Sequence, residues 1–224
     1  VVGCMSFPIE EGLEGYFLIT AHLLMSRGYM LPLTLRYLAL SETVPVAGMM
    51  RAILHELCDE FRREIPLLDT AQQMGVYEFR EELFVTSFTY PERTYACVKR
   101  VALRWIDEHM TNQLEAAGLK QRITQLLALD EAFAPHTGAT REVSAHFDFD
   151  ANAVMDTLES MELPAPALFA AQPTELGIHI PGGVGDIIKD PDGGVWIHAE
   201  RSSSKAEHAA KLQPVTVQAL VASA

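Results

Sequence analysis

Basic side chains are the first shortage in this sequence of 224 residues, which has 17 lysines and arginines against 30 aspartates and glutamates. The formal net charge is −13 at pH 7. Nucleic acids and anionic membranes are negatively charged themselves, so an acidic surface does not attract them. We therefore expect neither nucleic acid nor a membrane among the partners of this protein.

Cysteine is the second shortage, and the three cysteines, Cys4, Cys58 and Cys97, lie far apart in the sequence. An odd number of cysteines without CxxC spacing favours free thiols over disulfides. Free thiols are typical of a reducing compartment, so we expect the protein in the cytoplasm. Long apolar runs are missing too, because the longest, 16–25, has about half of the ~20 residues that a membrane helix needs.

Most of the first 134 residues show the apolar periodicity of α-helices. Apolar side chains recur there at spacings of three and four. Prolines mark several helix starts, because the first turn of a helix leaves its N–H groups unpaired in any case. These prolines are Pro8, Pro32, Pro45 and Pro91. We predict helices over 9–27, 32–38, 46–63, 71–88, 91–117 and 120–133, with Gly118 as the stop between the last two.

The period changes to two beyond a linker that we place at 135–142. Apolar and polar residues alternate from Val143 to Asp150, which predicts a half-buried strand. Asp150 can then cap a short helix over 151–161, because its side chain can accept from the first N–H groups of that helix.

These segments together predict a mostly α fold with a small antiparallel β element at the C-terminal end, α+β overall. We expect a helical domain over 1–134, a strand, helix and hairpin element over 143–200, and a poorly packed tail over 201–224. The sequence starts with Val1 rather than methionine. That start favours a piece of a longer polypeptide.

A family pattern is present in the first 38 residues and in one later segment. Its parts are Val1-Val2-Gly3, Ser6-Phe7, Glu10-Glu11, Tyr16-Phe17, His22, Pro32-Leu33-Thr34, Arg36-Tyr37-Leu38 and Phe147-Asp148-Phe149-Asp150. The pattern resembles the region after the radical-SAM core in cobalamin-dependent radical-SAM enzymes, a group that includes methyltransferases and an oxidative ring cyclase. In those proteins an aromatic helix with a histidine precedes a short helix that contains Arg-Tyr-Leu.

The resemblance implies that the chain is a C-terminal accessory region of such an enzyme, with methyl transfer as the expected reaction. The full enzyme would use cobalamin, S-adenosylmethionine and an iron–sulfur cluster, and the partner would be its upstream catalytic domain. Cluster binding in this family requires CxxxCxxC, because thiolates hold the iron. Cys4, Cys58 and Cys97 lack that spacing. We therefore expect no catalysis and no bound cofactor from this chain alone.

His22 and Arg36 are the candidate substrate-binding residues, because each interrupts an otherwise apolar helix. A buried polar side chain without a partner costs a few kcal/mol, on the order of 2–7. At a cavity or a domain seam, His22 could donate a hydrogen bond and Arg36 could bind a carboxylate or phosphate. The alternative is structural, with nearby carboxylates or helix-end carbonyls as their partners.

A second candidate site is a metal site. His146 and Asp148, with His198 further along, match the HxD…H pattern of non-haem iron oxygenases. The alternative is an exposed polar face on a half-buried strand. Three functions thus stay open: the accessory region, a free-standing helical interaction protein, and an iron oxygenase that uses these three residues.

Overall fold

The computed structural model describes residues 9–27, 30–66, 68, 80–134, 141–180 and 217–219. Seven α-helices lie within these ranges. They are α1 (Ile9–His22), α2 (Pro32–Ser41), α3 (Val46–Glu60), α4 (Arg80–Thr89), α5 (Pro91–His109), α6 (Gln113–Ala132) and α7 (Ala151–Glu159). A π-helical turn, Leu23–Arg27, continues α1, and a short 3₁₀-helix, Pro166–Ala170, follows α7.

Three strands form one antiparallel sheet in the order β1–β2–β3. They are β1 (Arg141–Phe147), β2 (Thr174–Ile180) and β3 (Val217–Ala219). Val143 is paired with Ile178, and Leu176 is paired with Ala145 on one side and Ala219 on the other. The mostly helical fold with a small antiparallel sheet near the C-terminal end is therefore confirmed.

The helices pack in pairs around one core. α3 packs against α5 and α1, while α6 packs against α5 and α2. β1 contacts α6, and α7 contacts α2, so the sheet element shares its buried side with the helices. The buried side chains form one cluster, with Phe61, Phe88 and Phe149 among the largest that are fully buried. Within the described ranges, none of the helices combines the length and the apolar composition that crossing a bilayer would take.

The apolar sides of α1, its π-turn and α2 are largely covered by the chain itself, as far as their side chains are described. Seven of these side chains are buried, namely Phe17, Ala21, Leu24, Met25, Leu35, Tyr37 and Leu38. Ile19 is the large apolar side chain that is exposed among those described there, with 54% of its surface accessible. The core of this chain therefore covers most of the apolar side chains that are described in these helices.

One predicted helix boundary is wrong. Gly118 lies inside α6, and the break comes earlier, between the end of α5 at His109 and the start of α6 at Gln113. The Asn112 side chain accepts hydrogen bonds from the backbone N–H groups of Leu114 (3.1 Å) and Glu115 (3.4 Å), which makes it the N-cap of α6. A glycine within a helix costs only about 1 kcal/mol relative to alanine, so this cap and the burial of α6 outweigh it.

Other expectations for the second half hold. Asp150 caps α7 by accepting from the backbone N–H of Ala153 at 3.0 Å. The predicted strand forms, although it begins at Arg141 and ends at Phe147. The segment 71–79, the predicted hairpin within 184–199 and the tail outside 217–219 fall beyond the described residues. The proposed domain boundaries stay a prediction.

Candidate functional site

Arg36, one of the two predicted substrate-binding residues, connects α2 to α7. It is half-buried, and its Nη1 donates a hydrogen bond to the carbonyl oxygen of Leu158 at 3.1 Å. Leu158 belongs to the last turn of α7, where the carbonyl groups carry the negative end of the helix dipole, and its carbonyl oxygen also accepts from the backbone N–H of Met161 at 3.1 Å. The guanidinium therefore serves as a C-terminal cap for α7, as the structural alternative expects.

We expect Arg36→Met to lower the free energy of unfolding by about 1–2 kcal/mol, because it removes a charged hydrogen-bond donor and keeps most of the aliphatic stem. Urea denaturation followed by far-UV circular dichroism measures the change. Arg36→Lys keeps a positive charge near the α7 carbonyls and should lose less. Unchanged stability in Arg36→Met would contradict the capping role and would favour a role in binding.

His22 lies apart from this contact. It is the last residue of α1, its side chain is exposed, and the π-turn begins directly after it. Among the described residues, no hydrogen bond or ion pair joins His22 to Arg36. The structure thus does not bring the two predicted residues into one polar contact, and a role of either in substrate binding stays a prediction.

The predicted iron ligands lie in and near β1. His146 is exposed and pairs with Glu175 across the strands. Asp148 follows the end of β1, and its Oδ1 accepts from Nε2 of Gln125 at 3.4 Å. His198 is outside the described residues, and within those residues no three His, Cys, Asp or Glu side chains are arranged to hold a metal ion. The three-residue site therefore stays a prediction.

The described cysteines are buried and poorly suited to act as nucleophiles. Cys58 on α3 and Cys97 on α5 are both buried. Burial raises the pKa of Cys58 to about 12 and the pKa of Cys97 to about 11. Nucleophilic attack needs the thiolate, which these surroundings disfavour. Cys58 and Cys97 both belong to the core, and the Sγ of Cys97 also accepts from Nη2 of Arg100 at 3.6 Å.

Arginines on α5 form ion pairs with carboxylates on α3 and with Glu64, just after it. Arg93 forms ion pairs with Glu60 (3.1 Å) and Glu64 (2.6 Å), and Arg104 forms one with Glu56 (3.0 Å). The hydrogen bond from Arg104 is the largest cause of a lowered pKa for Glu56. These arginines already have carboxylate partners within the chain, so they bind the two helices together and do not form an open anion site.

The most unusual polar group is one that the sequence did not single out. Asp130, in the last turn of α6, is only 1% exposed. Its Oδ1 accepts from the backbone N–H of Leu33 at 2.9 Å, and its Oδ2 accepts from that of Thr34 at 3.0 Å. Leu33 and Thr34 are the second and third residues of α2. Asp130 therefore supplies the N-terminal cap of a helix that lies 97 residues earlier.

Tyr95 completes this contact between α2 and α6. Its hydroxyl donates to the carbonyl oxygen of Met30 at 2.8 Å and also lies 3.2 Å from the carbonyl oxygen of Asp130. Burial raises the pKa of Tyr95 well above its ordinary value, so its hydroxyl stays neutral. We call the contact formed by Asp130, Leu33, Thr34, Tyr95 and Met30 the α2–α6 seam.

One signal in the sequence could have pointed to the seam. Leu31 precedes Pro32 at the start of α2 and offers no side-chain cap, so the free N–H groups of the first turn need acceptors from elsewhere. No local residue supplies them, but the sequence does not tell which distant residue does. Chemically the seam can bind and release a proton, and it is closed to a substrate because Asp130 is buried.

Comparison with known proteins finds no relative of this chain. No protein-family model, no curated protein and no solved structure matches the chain.

Proposed function

We propose that this chain is a helical accessory region of a cobalamin-dependent radical-SAM enzyme of methyltransferase type, whose chemistry takes place in another domain. The observation that carries the proposal is the resemblance over the first 38 residues and Phe147-Asp148-Phe149-Asp150. Pro32, at the first position of α2, and the buried Tyr37 and Leu38 belong to that pattern. The free thiols of Cys58 and Cys97 favour a cytoplasmic location.

In this role the region would close the catalytic barrel and form one wall of the substrate site. Cobalamin, S-adenosylmethionine and the iron–sulfur cluster would be held by the catalytic domain, because Cys58 and Cys97 lie buried in different helices. His22, with its exposed side chain at the end of α1, is the residue of this chain that we expect nearest the substrate.

The native coding sequence before Val1 gives the first test. We expect an open reading frame that continues upstream and encodes a CxxxCxxC segment. A native start codon directly before Val1, with no such segment in the same polypeptide, would contradict the proposal.

In the longer polypeptide, His22→Ala should lower the rate of methyl transfer and leave the iron content unchanged. Ile19→Ala is the control. Ile19 is exposed on α1 as His22 is, so this variant shows whether a change at that surface alone lowers the rate through a weaker contact between domains.

A second candidate function, a free-standing helical interaction protein, is favoured by a specific observation. Phe17, Leu24, Leu35 and Leu38 are buried within the chain, so these described side chains of α1, its π-turn and α2 need no neighbouring domain to cover them. In that case the isolated chain should be monomeric, should unfold cooperatively and should not bind the dye ANS. Strong ANS binding by the isolated chain would argue for a missing partner instead.

A further inference from the structure

The segment that follows α7, residues 161–171, is apolar and yet largely exposed. Glu162 is its single charged residue. Its exposed apolar residues are Met161, Leu163, Ala165, Pro166, Ala167 and Ala170. Met161 and Leu163 are the largest of these, with 62% and 48% of their surfaces exposed. Scattered apolar side chains are normal at a surface, but a continuous apolar stretch is typical of an interaction site. We call this segment the apolar loop.

Met161 has a backbone conformation that methionine rarely adopts, because its φ is 59°. It directly follows the C-cap of α7, and the N–H of Glu162 after it donates to the carbonyl oxygen of Thr157 at 3.0 Å. Helices that end in this way usually have glycine at the position of Met161, since a Cβ atom strains the left-handed conformation. Methionine therefore lowers stability here and exposes a large apolar side chain.

The last turn of α7 is acidic. Asp156 and Glu159 lie in it and are exposed, and Glu162 follows in the apolar loop. Carboxylates are unfavourable near the C-terminus of a helix, because the helix dipole is negative there. Between Arg141 and Lys189 the sequence has eight aspartates and glutamates and no lysine or arginine. The chain on both sides of the apolar loop therefore carries charge of one sign.

Arg36 of α2 is the cation that reaches this turn, but it is half-buried and donates to the carbonyl oxygen of Leu158. Within the described residues, no ion pair neutralises Asp156, Glu159 or Glu162. Two features that lower stability, a strained methionine and carboxylates at the negative end of a helix, thus coincide at the end of α7. Residues that break local rules without a structural gain are expected at functional sites.

We propose that the apolar loop and the acidic last turn of α7 form a docking surface for a basic amphipathic helix of another polypeptide chain. The apolar face of that helix would cover Met161 and Leu163, and its lysines or arginines would pair with the three carboxylates. The apolar loop contains no strand, so an extended peptide gains no backbone pairing there, whereas a helix binds through its side chains. The acidic charge speeds the approach of a cationic partner, and burial of the apolar side chains holds the complex. The surface would serve in both candidate functions, because it needs no cofactor.

The first test uses a fluorescein-labelled synthetic peptide of leucine and lysine, with leucine along one face of the helix. We expect fluorescence anisotropy to show binding to the native chain, and binding should weaken as salt is added because ion pairs are screened. A peptide of the same composition in scrambled order has the same charge but no apolar face, so it should bind about tenfold more weakly. Equal binding of the two peptides, or binding of neither, would overturn the docking surface.

Two variants separate docking from folding. Met161→Gly removes the side chain and suits the left-handed backbone, so it should raise the urea midpoint while it weakens peptide binding about tenfold. Leu163→Ser should weaken binding to a similar extent with little change in the midpoint. Leu114→Ser is the matched control, because Leu114 is 84% exposed on α6, outside the apolar loop. Peptide binding that is as strong in Met161→Gly and Leu163→Ser as in Leu114→Ser would reject the proposal.

Glu162→Gln tests the charged part of the surface. It should weaken peptide binding severalfold and reduce the dependence of binding on salt. Glu115→Gln is the matched control, because it removes an exposed carboxylate from the first turn of α6 and changes the net charge equally. An equal effect of the two variants would show that the peptide responds to net charge alone, and the proposed surface would then be wrong.

Discussion

Replacing Phe149 with alanine is expected to lower the free energy of unfolding by about 3–5 kcal/mol, the cost that is typical of deleting a buried aromatic ring. Phe149 is 1% exposed and sits just after β1. The loss combines the transfer of the ring out of the core with the cavity that it leaves. A change of this size is a large fraction of the total stability of a single domain.

The position of Phe149 makes the substitution informative about how the sheet is held to the helices. Its ring lies 5.7 Å from Phe147 and 5.9 Å from Phe169, and Phe169 lies 5.7 Å from Tyr37 on α2. These four rings form a continuous row from β1 to α2. Nε2 of Gln125, on α6, also donates to the carbonyl oxygen of Phe169 at 3.1 Å.

Because the row of rings joins the sheet to the helices, we expect both regions to unfold in one cooperative transition, and we expect Phe149→Ala to lower its urea midpoint. Circular dichroism of the helices and a fluorescent label near β1 should report the same urea midpoint. Leu114→Ala is the control, since Leu114 is 84% exposed and its truncation should change stability by no more than about 0.5 kcal/mol. Two separate midpoints would instead support independent domains on either side of 135–142.

The regular elements could be predicted from the sequence where the determining residues are close to each other. α3 followed from its apolar spacing, and α7 followed from Asp150 as its N-cap. The predicted boundary between α5 and α6 was wrong because it relied on Gly118 as a helix stop. The structure places the boundary at Asn112, which is the N-cap of α6. Both signals are local, so a closer comparison of cap and glycine energies could have placed it.

The seam could not be predicted, because Asp130 and the N–H groups that it binds are 96 and 97 residues apart. An aspartate near the end of an amphipathic helix usually lies in solvent, and only the packing of α2 on α6 buries this one. The role of Arg36 was foreseen as one of two alternatives, but its partner Leu158 depends on the same packing. The partners and the burial of these residues depend on tertiary contacts, which the periodicity of the sequence does not reveal.

Gly48 on α3 is a position whose identity only the fold explains. A Cβ atom placed on Gly48 would lie 2.6 and 2.8 Å from two carbons of the Trp105 ring on α5. The other constraint on that ring is His109, which stacks on it with centroids 3.8 Å apart. The ring therefore has little room to move away, and the close approach of α3 to α5 depends on the missing side chain.

We accordingly expect Gly48→Ala to destabilise the protein by about 1–3 kcal/mol, the usual cost of overpacking, although alanine is the better helix former. Gly15→Ala is the matched control, because a Cβ atom on Gly15 in α1 would meet nothing within 4 Å. That variant should be more stable than the native chain by roughly 0.5–1 kcal/mol. Thermal unfolding followed by circular dichroism compares the two.

A double-mutant cycle with Trp105→Phe decides whether the clash is the cause. Phenylalanine lacks the two ring carbons that Gly48 approaches, so Gly48→Ala should cost much less in that background. A coupling energy of about 1 kcal/mol or more is expected for side chains in direct contact. An equal cost in both backgrounds would show that the glycine is required for a reason other than its contact with Trp105. A loss of stability in Gly48→Ala together with a gain in Gly15→Ala would therefore show that α3 and α5 approach too closely to admit a side chain at position 48.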